Sequence, residues 1–305
     1  MSMRAFGKDE CCMKRNCRIR EPLGSRCSSV VVVLIVTVIT IICFYPMYYV
    51  FMASFSDPYR LLSHRGGLLL PVGFSIGGYE LVLKNPSIYL GYRNTLVYVI
   101  AGTALNMVMT TLGAYALSRP HFAGKKAATF LIVFTMYFNG GLIPNYLLIK
   151  GLNMLNTMWA LIVPGAVGTW NLLVLRTAFK SAPASLEEAA IIDGANDFQV
   201  LLHVLLPVTK ASMAVILLFY AVRHWNSWFN AMIYLSRARE LYPLQLFLRE
   251  SLQTNNIVET GATMDFSGEL VKYCTIVVST VPILCLYPFL QRYFVKGVML
   301  GSVKG

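Results

Sequence analysis

The segment Ala182-Pro183-Ala184-Ser185-Leu186-Glu187-Glu188-Ala189-Ala190-Ile191-Ile192-Asp193-Gly194-Ala195-Asn196-Asp197-Phe198 lies between two long apolar runs and resembles neither. Ser185 is a good N-cap, and Glu188 stands three residues on, the spacing of a capping box. Glu187 and Glu188 in a first helical turn suit the positive end of the helix dipole. Gly194 ends that helix if it takes a positive φ. A second short helix is expected from about Asp197, and Pro207 then opens the next apolar run. Two short helices joined at a glycine make a surface feature. A helix resting on anionic headgroups favours Lys and Arg on its polar face. Glu187, Glu188, Asp193 and Asp197 suit a basic socket on another protein instead.

The flanking runs, about Thr157 to Phe179 and Ala211 to Leu235, are each long enough to cross a bilayer core, which takes about 20 apolar residues. Four further runs qualify: about Ser29 to Met52, about Thr95 to Leu117, one from about Ala127 that is interrupted at Asn139-Gly140-Gly141, and about Leu270 to Leu290. Hydrophobic residues make up 56% of the chain and charged residues 13%, with a mean hydropathy of +0.60. Soluble domains carry about 25% charged residues, so the chain's solvent is lipid. Runs of this length read as helices, because lipid leaves every backbone group to be satisfied internally. The expectation is an all-α, polytopic membrane protein with six transmembrane helices. Residues 1–28 would form a basic tail, residues 29–291 the membrane domain with its loop at 180–207, and residues 292–305 a second tail. The first run is too long for a secretory signal core and no small-residue cleavage site follows it, so it reads as a retained span.

Six spans put both termini on one side. That side, which includes the acidic loop, collects fifteen Lys and Arg, and the other side eight. The positive-inside rule places both termini of this multi-pass chain in the cytoplasm. The net charge of +12 then reflects a basic cytoplasmic rim against anionic lipid and not nucleic acid. Cys11, Cys12, Cys17 and Cys27 fall in the reduced tail, and Cys43, Cys274 and Cys285 in spans, so neither a disulfide framework nor a zinc site is expected.

Glu188-Ala189-Ala190, three residues, Gly194, nine residues and Val204-Leu205-Leu206-Pro207 reproduce the EAA motif of ABC importer permeases, with Val204 in place of Ile as the one departure. The chain resembles that family along nearly its whole length. It is most similar to the carbohydrate-uptake permeases related to the second permease subunit of the maltose system, and within them to the LplC/YtcP-type subgroup. Softer signals are Tyr92-Arg93-Asn94-Thr95-Leu96, Asn139-Gly140-Gly141-Leu142-Ile143-Pro144, Gly151-Leu152-Asn153-Met154-Leu155-Asn156-Thr157 and the end from Tyr293 to Gly305. The resemblance implies a type I ABC importer permease fold. It implies that the acidic loop docks on an ATPase subunit through Glu187, Glu188, Ala189, Ala190, Asp193, Gly194, Leu206 and Pro207. Glu188 would pair with a cation, the alanines would allow close approach, and Gly194 would set the bend. It further implies as partners a homologous second permease, ABC ATPase subunits and an extracellular solute-binding protein or lipoprotein. The cargo would be an oligosaccharide, moved by alternating access.

The chain has no Gly-x-x-x-x-Gly-Lys-Ser/Thr phosphate loop, no nucleophile–base pair and no metal cluster. It reads as a transporter subunit without cofactor or catalytic site, with ATP bound elsewhere. The expected fifth span holds the least lipid-like residues. At 100° per residue, Arg223, Asn226, Ser227, Asn230 and Tyr234 fall near one line, opposite Trp225 and Trp228. This line either borders the translocation path or bonds neighbouring helices. The Trp pair fits packing better than sugar stacking, and His224 reads as a packing or hydrogen-bonding residue. The bend at Asn139-Gly140-Gly141 fits the outer membrane surface better than a cavity. Amino-acid or peptide cargo stays open. An ion-coupled transporter would need intramembrane carboxylates, and no expected span contains one.

Overall fold

The computed structural model describes residues 23–258, except 65 and 121, and residues 270–285. Among these the ordered elements are helices, with one isolated antiparallel bridge between Ser56 and Phe74. The chain divides into two units, residues 1–49 and 50–305. The described part of the first unit belongs to helix α1, Leu23–Ser54, whose apolar portion Ser28–Ser54 has a mean hydropathy of 2.8. Thr37 and Thr40 fold their hydroxyls back onto the carbonyls of Val33 and Val36, which hides those donors from lipid.

In the second unit, short helices α2, Pro58–Ser63, and α3, Gly77–Lys84, precede the long α4, Pro86–Ser118. Asn85 caps α4 by accepting from the Ser87 N–H at 2.9 Å, and Pro86 occupies the position where a missing N–H costs nothing. Then follow α5, Lys125–Tyr137; α6, Leu142–Gly151; α7, Trp159–Gly165; α8, Thr169–Lys180; α9, Ala184–Ile192; α10, Asp197–Val208; α11, Lys210–Trp225; α12, Phe229–Tyr234; α13, Leu244–Val258; and α14, Leu270–Cys285. Helices α1 and α4 are each long and apolar enough to cross a bilayer, and the pairs α5–α6 and α7–α8 qualify when each is taken together.

Three expected spans are therefore broken. The third bends by 117° between α5 and α6, where Asn139 Oδ1 accepts from the Gly141 N–H and Gly141 takes φ +88°. The fourth bends by 47° between α7 and α8, after Pro164-Gly165. The fifth stops at Trp225 and resumes as α12, because Asn226 turns its side chain back to the Val222 carbonyl and ends α11. Pro207 closes α10 near an 87° bend into α11; it does not begin the long helix. The sixth expected span is described as far as Cys285, and the basic tail to residue 22 and the tail 292–305 lie outside the described residues.

Large apolar side chains such as Ile100, Phe130, Leu131, Ile143 and Leu148 are exposed. In water so much bare apolar surface would drive association, whereas in a bilayer it meets its own kind. Inside, one core joins Leu117, Leu175, Phe179, Leu205 and Ile216 near the α9–α10 end. A second joins Tyr98, from the middle of α4, with Ile149, Ile162, Tyr234 and Leu246.

Candidate functional site

Helices α9 and α10 form the two-helix knuckle expected around Gly194. The turn between them is a Schellman motif: the Ala195 N–H donates to the Ala190 carbonyl at 2.9 Å and the Gly194 N–H to the Ile191 carbonyl at 3.0 Å. Gly194 takes φ +86°, a region that residues with a Cβ avoid. The capping box is not at Ser185. Pro183, in an extended conformation, precedes α9 and its carbonyl accepts from Leu186, so the helix has begun before Ser185 is reached and no side chain caps it. The box lies one helix later: Asn196 accepts from the Gln199 N–H, and Gln199 accepts from the Asn196 N–H, each at 2.9 Å.

The knuckle is rooted from beneath. Val200, Leu201 and Leu205 of α10 are buried, and Leu205 and Leu206 pack into the core formed with Leu117, Leu175 and Phe179. Residues 200–205 are wound as a π-helix, which adds a residue to the turn and re-aims the side chains beyond it. It is also clamped from the side. The Arg119 guanidinium, just past the end of α4, forms a bidentate pair with Glu187 at 2.5 and 2.9 Å, with both side chains only about one-fifth exposed. The same guanidinium lies 4.5 Å over the Tyr115 ring, whose hydroxyl donates to Asp197 of α10 at 3.3 Å. The Glu187 carboxylate, foremost among the causes, holds the Arg119 pKa above its ordinary value, so the cation is fixed. Each knuckle helix thus has an acid gripped by the last turn of α4.

What the clamp leaves outward is specific. Glu188, Ala189 and Asp193 are exposed, Ala190 is half-buried, and Pro207 is exposed at the base. Around them stand apolar side chains: Ile192 is 85% exposed and Phe198 59%, with Ile191 beside them. Glu187, grouped with the outward acids in the sequence reading, faces its own chain.

The residues proposed for the path part company. Arg223, Asn226 and Asn230 are exposed and Ser227 is half-buried, whereas Tyr234 is buried and stacks on Tyr146. The break after Trp225 ends the helical line that joined them. Trp225 is buried against Tyr92, and Trp228 packs toward the core with the Arg249 guanidinium 3.9 Å over its ring, so both serve packing.

The polar side chains converge on the break between α7 and α8. A carbonyl freed there would cost several kcal/mol in lipid. The Gly165 carbonyl instead accepts from Asn106 Nδ2 at 2.5 Å and from Arg223 Nη2 at 3.2 Å. Asn106 Oδ1 pairs with His224 Nε2 at 2.7 Å. The Gly168 N–H donates to the Tyr220 hydroxyl at 2.9 Å, which pairs with Thr110 at 2.7 Å. Close approach depends on two glycines. A Cβ on Gly102, within a π-helical turn of α4, would meet the His224 ring at 2.5 Å, and one on Gly165 would meet Arg223 at 1.6 Å. The charge on Arg223 costs about 2.5–3.5 kcal/mol wherever it faces lipid. An apolar groove of about 640 Å³ between α4, α5 and α8, lined by Met109, Leu112, Leu131 and Ile132, offers sugar hydroxyls few partners: Thr169, and Thr135, whose hydroxyl is turned to the Ile132 carbonyl.

Sequence reasoning missed Arg119, Asn106 and the glycine contacts. Arg119 had registered only as a cation on one side of the membrane. Asn106, a carboxamide within an expected span, was the one legible signal.

A polytopic helical bundle that holds a clamped two-helix knuckle at one end belongs to the class of multi-subunit transport permeases. The chain is a member of the binding-protein-dependent transport system inner membrane component family, whose model matches residues 88–233. It is 38% identical to the polygalacturonan/rhamnogalacturonan transport system permease protein YtcP of Bacillus subtilis, over 87% of this chain and 94% of that protein. It is 36% identical to the protein LplC of the same organism, over 85% and 89%. Its fold matches a solved bacterial ABC transporter involved in the import of the acidic polysaccharide alginate, with a TM-score of 0.81 at 33% identity, covering 90% of this chain and 98% of that one. It is thus an all-α membrane permease of the type I ABC importer fold and a transporter component.

Proposed function

We propose that this chain moves oligosaccharides across the plasma membrane of a bacterium as one of two homologous permease subunits, driven by ATP hydrolysis on partner ATPase subunits. The observation that carries this reading is the knuckle, which is rigid at its root and turned outward at its apex. Docking on a moving partner demands both: a loose loop would absorb the motion, and an apex buried in its own chain would receive none. Glu188 and Asp193 offer charge to a basic socket, Ala189 and Ala190 let backbones approach, and Ile191, Ile192 and Phe198 supply the apolar contact. Leu206 and Pro207 join the knuckle to α11, and Glu187 holds its angle through Arg119.

In the working cycle, closure of the ATPases on ATP draws the two permeases' knuckles together and opens the shared cavity outward. A solute-binding protein or lipoprotein, docking on the outer loops, then delivers cargo, and hydrolysis resets the cavity inward. Both termini lie in the cytoplasm, in keeping with Arg119, Lys125, Lys180 and Lys210 at the knuckle end. The domain limits at 29–291, with tails on either side, follow from the same orientation. Arg223, Asn226, Ser227 and Asn230 border the cavity. The cargo class rests on the relatives named above, whose names speak of polygalacturonan, rhamnogalacturonan and alginate. The test is reconstitution of the tagged chain with its copurified partners, followed by ATP-driven uptake of a panel of labelled oligosaccharides, amino acids and peptides. Uptake of oligosaccharides supports the reading, and uptake confined to amino acids or peptides overturns the cargo.

A further inference from the structure

We propose that Arg223 is the cargo-reading cation of this permease, and that the oligosaccharide it admits carries carboxylates, as uronic acid units do; the inference rests on the oligosaccharide reading above. Arg223 lies thirteen residues along α11 from Lys210, about 20 Å of helix from the knuckle and so within the depth of a bilayer core. Arg223 is exposed, and among the described residues its guanidinium hydrogen bonds through Nη2 alone, to the Gly165 carbonyl at 3.2 Å. That carbonyl already accepts from Asn106 at the shorter distance of 2.5 Å, so closing the helix break does not need a charge. A neutral amide would serve there equally well. Among the described residues no carboxylate lies within ion-pair distance of Arg223; the ion pairs found are Lys84–Glu80, Arg119–Glu187 and Arg239–Glu250.

A guanidinium presents five N–H donors in a planar fork, the shape that matches a carboxylate with two parallel hydrogen bonds. Its hold on Gly165 fixes the fork in place. Gly165 has no Cβ where one would stand 1.6 Å from Nη2, so backbone and cation are fitted to each other. Beyond the end of α11 lie the exposed Asn226, whose Nδ2 donates to the Val222 carbonyl and whose Oδ1 can accept, and the exposed Asn230 of α12, carboxamides of the kind that suit sugar hydroxyls. A charge kept in a span, partly oriented and without a counter-ion among the described residues, is the arrangement a carboxylate-bearing cargo would complete.

The experiment uses the complete assembly in proteoliposomes of zwitterionic lipid, so that anionic headgroups do not compete for the cation. Uptake is measured for trisaccharides of galacturonate, mannuronate and guluronate, and for the same trisaccharides with each carboxyl reduced to the alcohol. The wild type is expected to favour at least one uronate over its reduced counterpart. In Arg223→Gln, which keeps a donor for Gly165 and loses the charge, the ratio of uronate to neutral uptake should fall roughly tenfold or more, as for a lost charge-assisted hydrogen bond. Arg223→Lys, retaining the charge without the fork, should fall in between. An unchanged ratio in Arg223→Gln overturns the inference, as does equal loss of both cargoes, which would mark Arg223 as an anchor for the helix break or for the second permease. Wild-type uptake of the reduced trisaccharides alone also overturns it, and leaves the oligosaccharide reading standing. Uptake of no trisaccharide at all, with transport of amino acids or peptides, removes both.

Discussion

The knuckle and the polar helix break are both built by side chains closing gaps in the backbone, yet they are held in opposite ways. The knuckle is a contiguous stretch whose turn, Schellman bonds and capping box all fall between Ala190 and Gln199. The break is assembled from three helices far apart in the chain, α4, α7 and α11. His224 meets Asn106 across 118 positions, Asn106 meets Gly165 across 59, and Arg223 meets Gly165 across 58. The knuckle turns its groups outward for another protein, whereas the break turns most of its groups inward and leaves Arg223 exposed. A local device can be carried as a unit and pressed against a partner. A distributed one ties helices together, so changes in it reach the whole bundle.

This contrast is broken or sharpened by substitutions on each side. The largest effect is expected from Gly194→Pro. Proline fixes φ at about −65°, where the turn needs +86°, and it removes the N–H that bonds Ile191. ATP-driven uptake should be abolished while membrane insertion, read by fractionation and protease protection, stays intact; Glu188→Lys should behave alike. Next comes Leu205→Ala at the knuckle's fully buried root. It should cost about 2–5 kcal/mol of stability, seen as a lower midpoint in detergent melting, and should also weaken coupling. Gly102→Ala at the break drives a methyl into the His224 ring, for about 1–3 kcal/mol by the same melting assay, whatever partner is present. The smallest effect is the Arg119–Glu187 clamp, worth about 1 kcal/mol in a double-mutant cycle because the pair is partly exposed. Arg119→Gln and Glu187→Gln should each lower uptake several-fold, while the exchange Arg119→Glu with Glu187→Arg should recover part of it. No coupling between the two positions in uptake would remove the clamp.

The same contrast explains what the sequence made legible. Gly194, the acids of the first turn and the second helix from Asp197 were readable because their physics is confined to neighbouring residues. Ser185 was misread because a Ser-x-x-Glu pattern outranked Pro183, whose extended conformation starts α9 earlier, and the Asn196-x-x-Gln199 box went unnoticed. The membrane-spanning character was plain from composition. The breaks within the spans were not, because their cost is met by partners far off in the chain. Gly165 reads as an ordinary glycine until Asn106 and Arg223 arrive. Asn153 and Asn156 of the Gly151–Thr157 signature carried no visible role. In the structure both take positive φ, and Asn156 receives the Arg237 N–H at 2.9 Å, pinning the loop to the chain beyond α12.

The claim that the knuckle is the mechanical joint is tested most directly by photo-crosslinking from position 189 in native membranes, where Ala189 is exposed on the outward face of α9. A crosslinker there should capture a protein that mass spectrometry identifies as a nucleotide-hydrolysing subunit, and the yield should change when ATP is trapped. Crosslinks from position 189 that reach only lipid or the chain itself, in membranes where uptake is active, would contradict the claim.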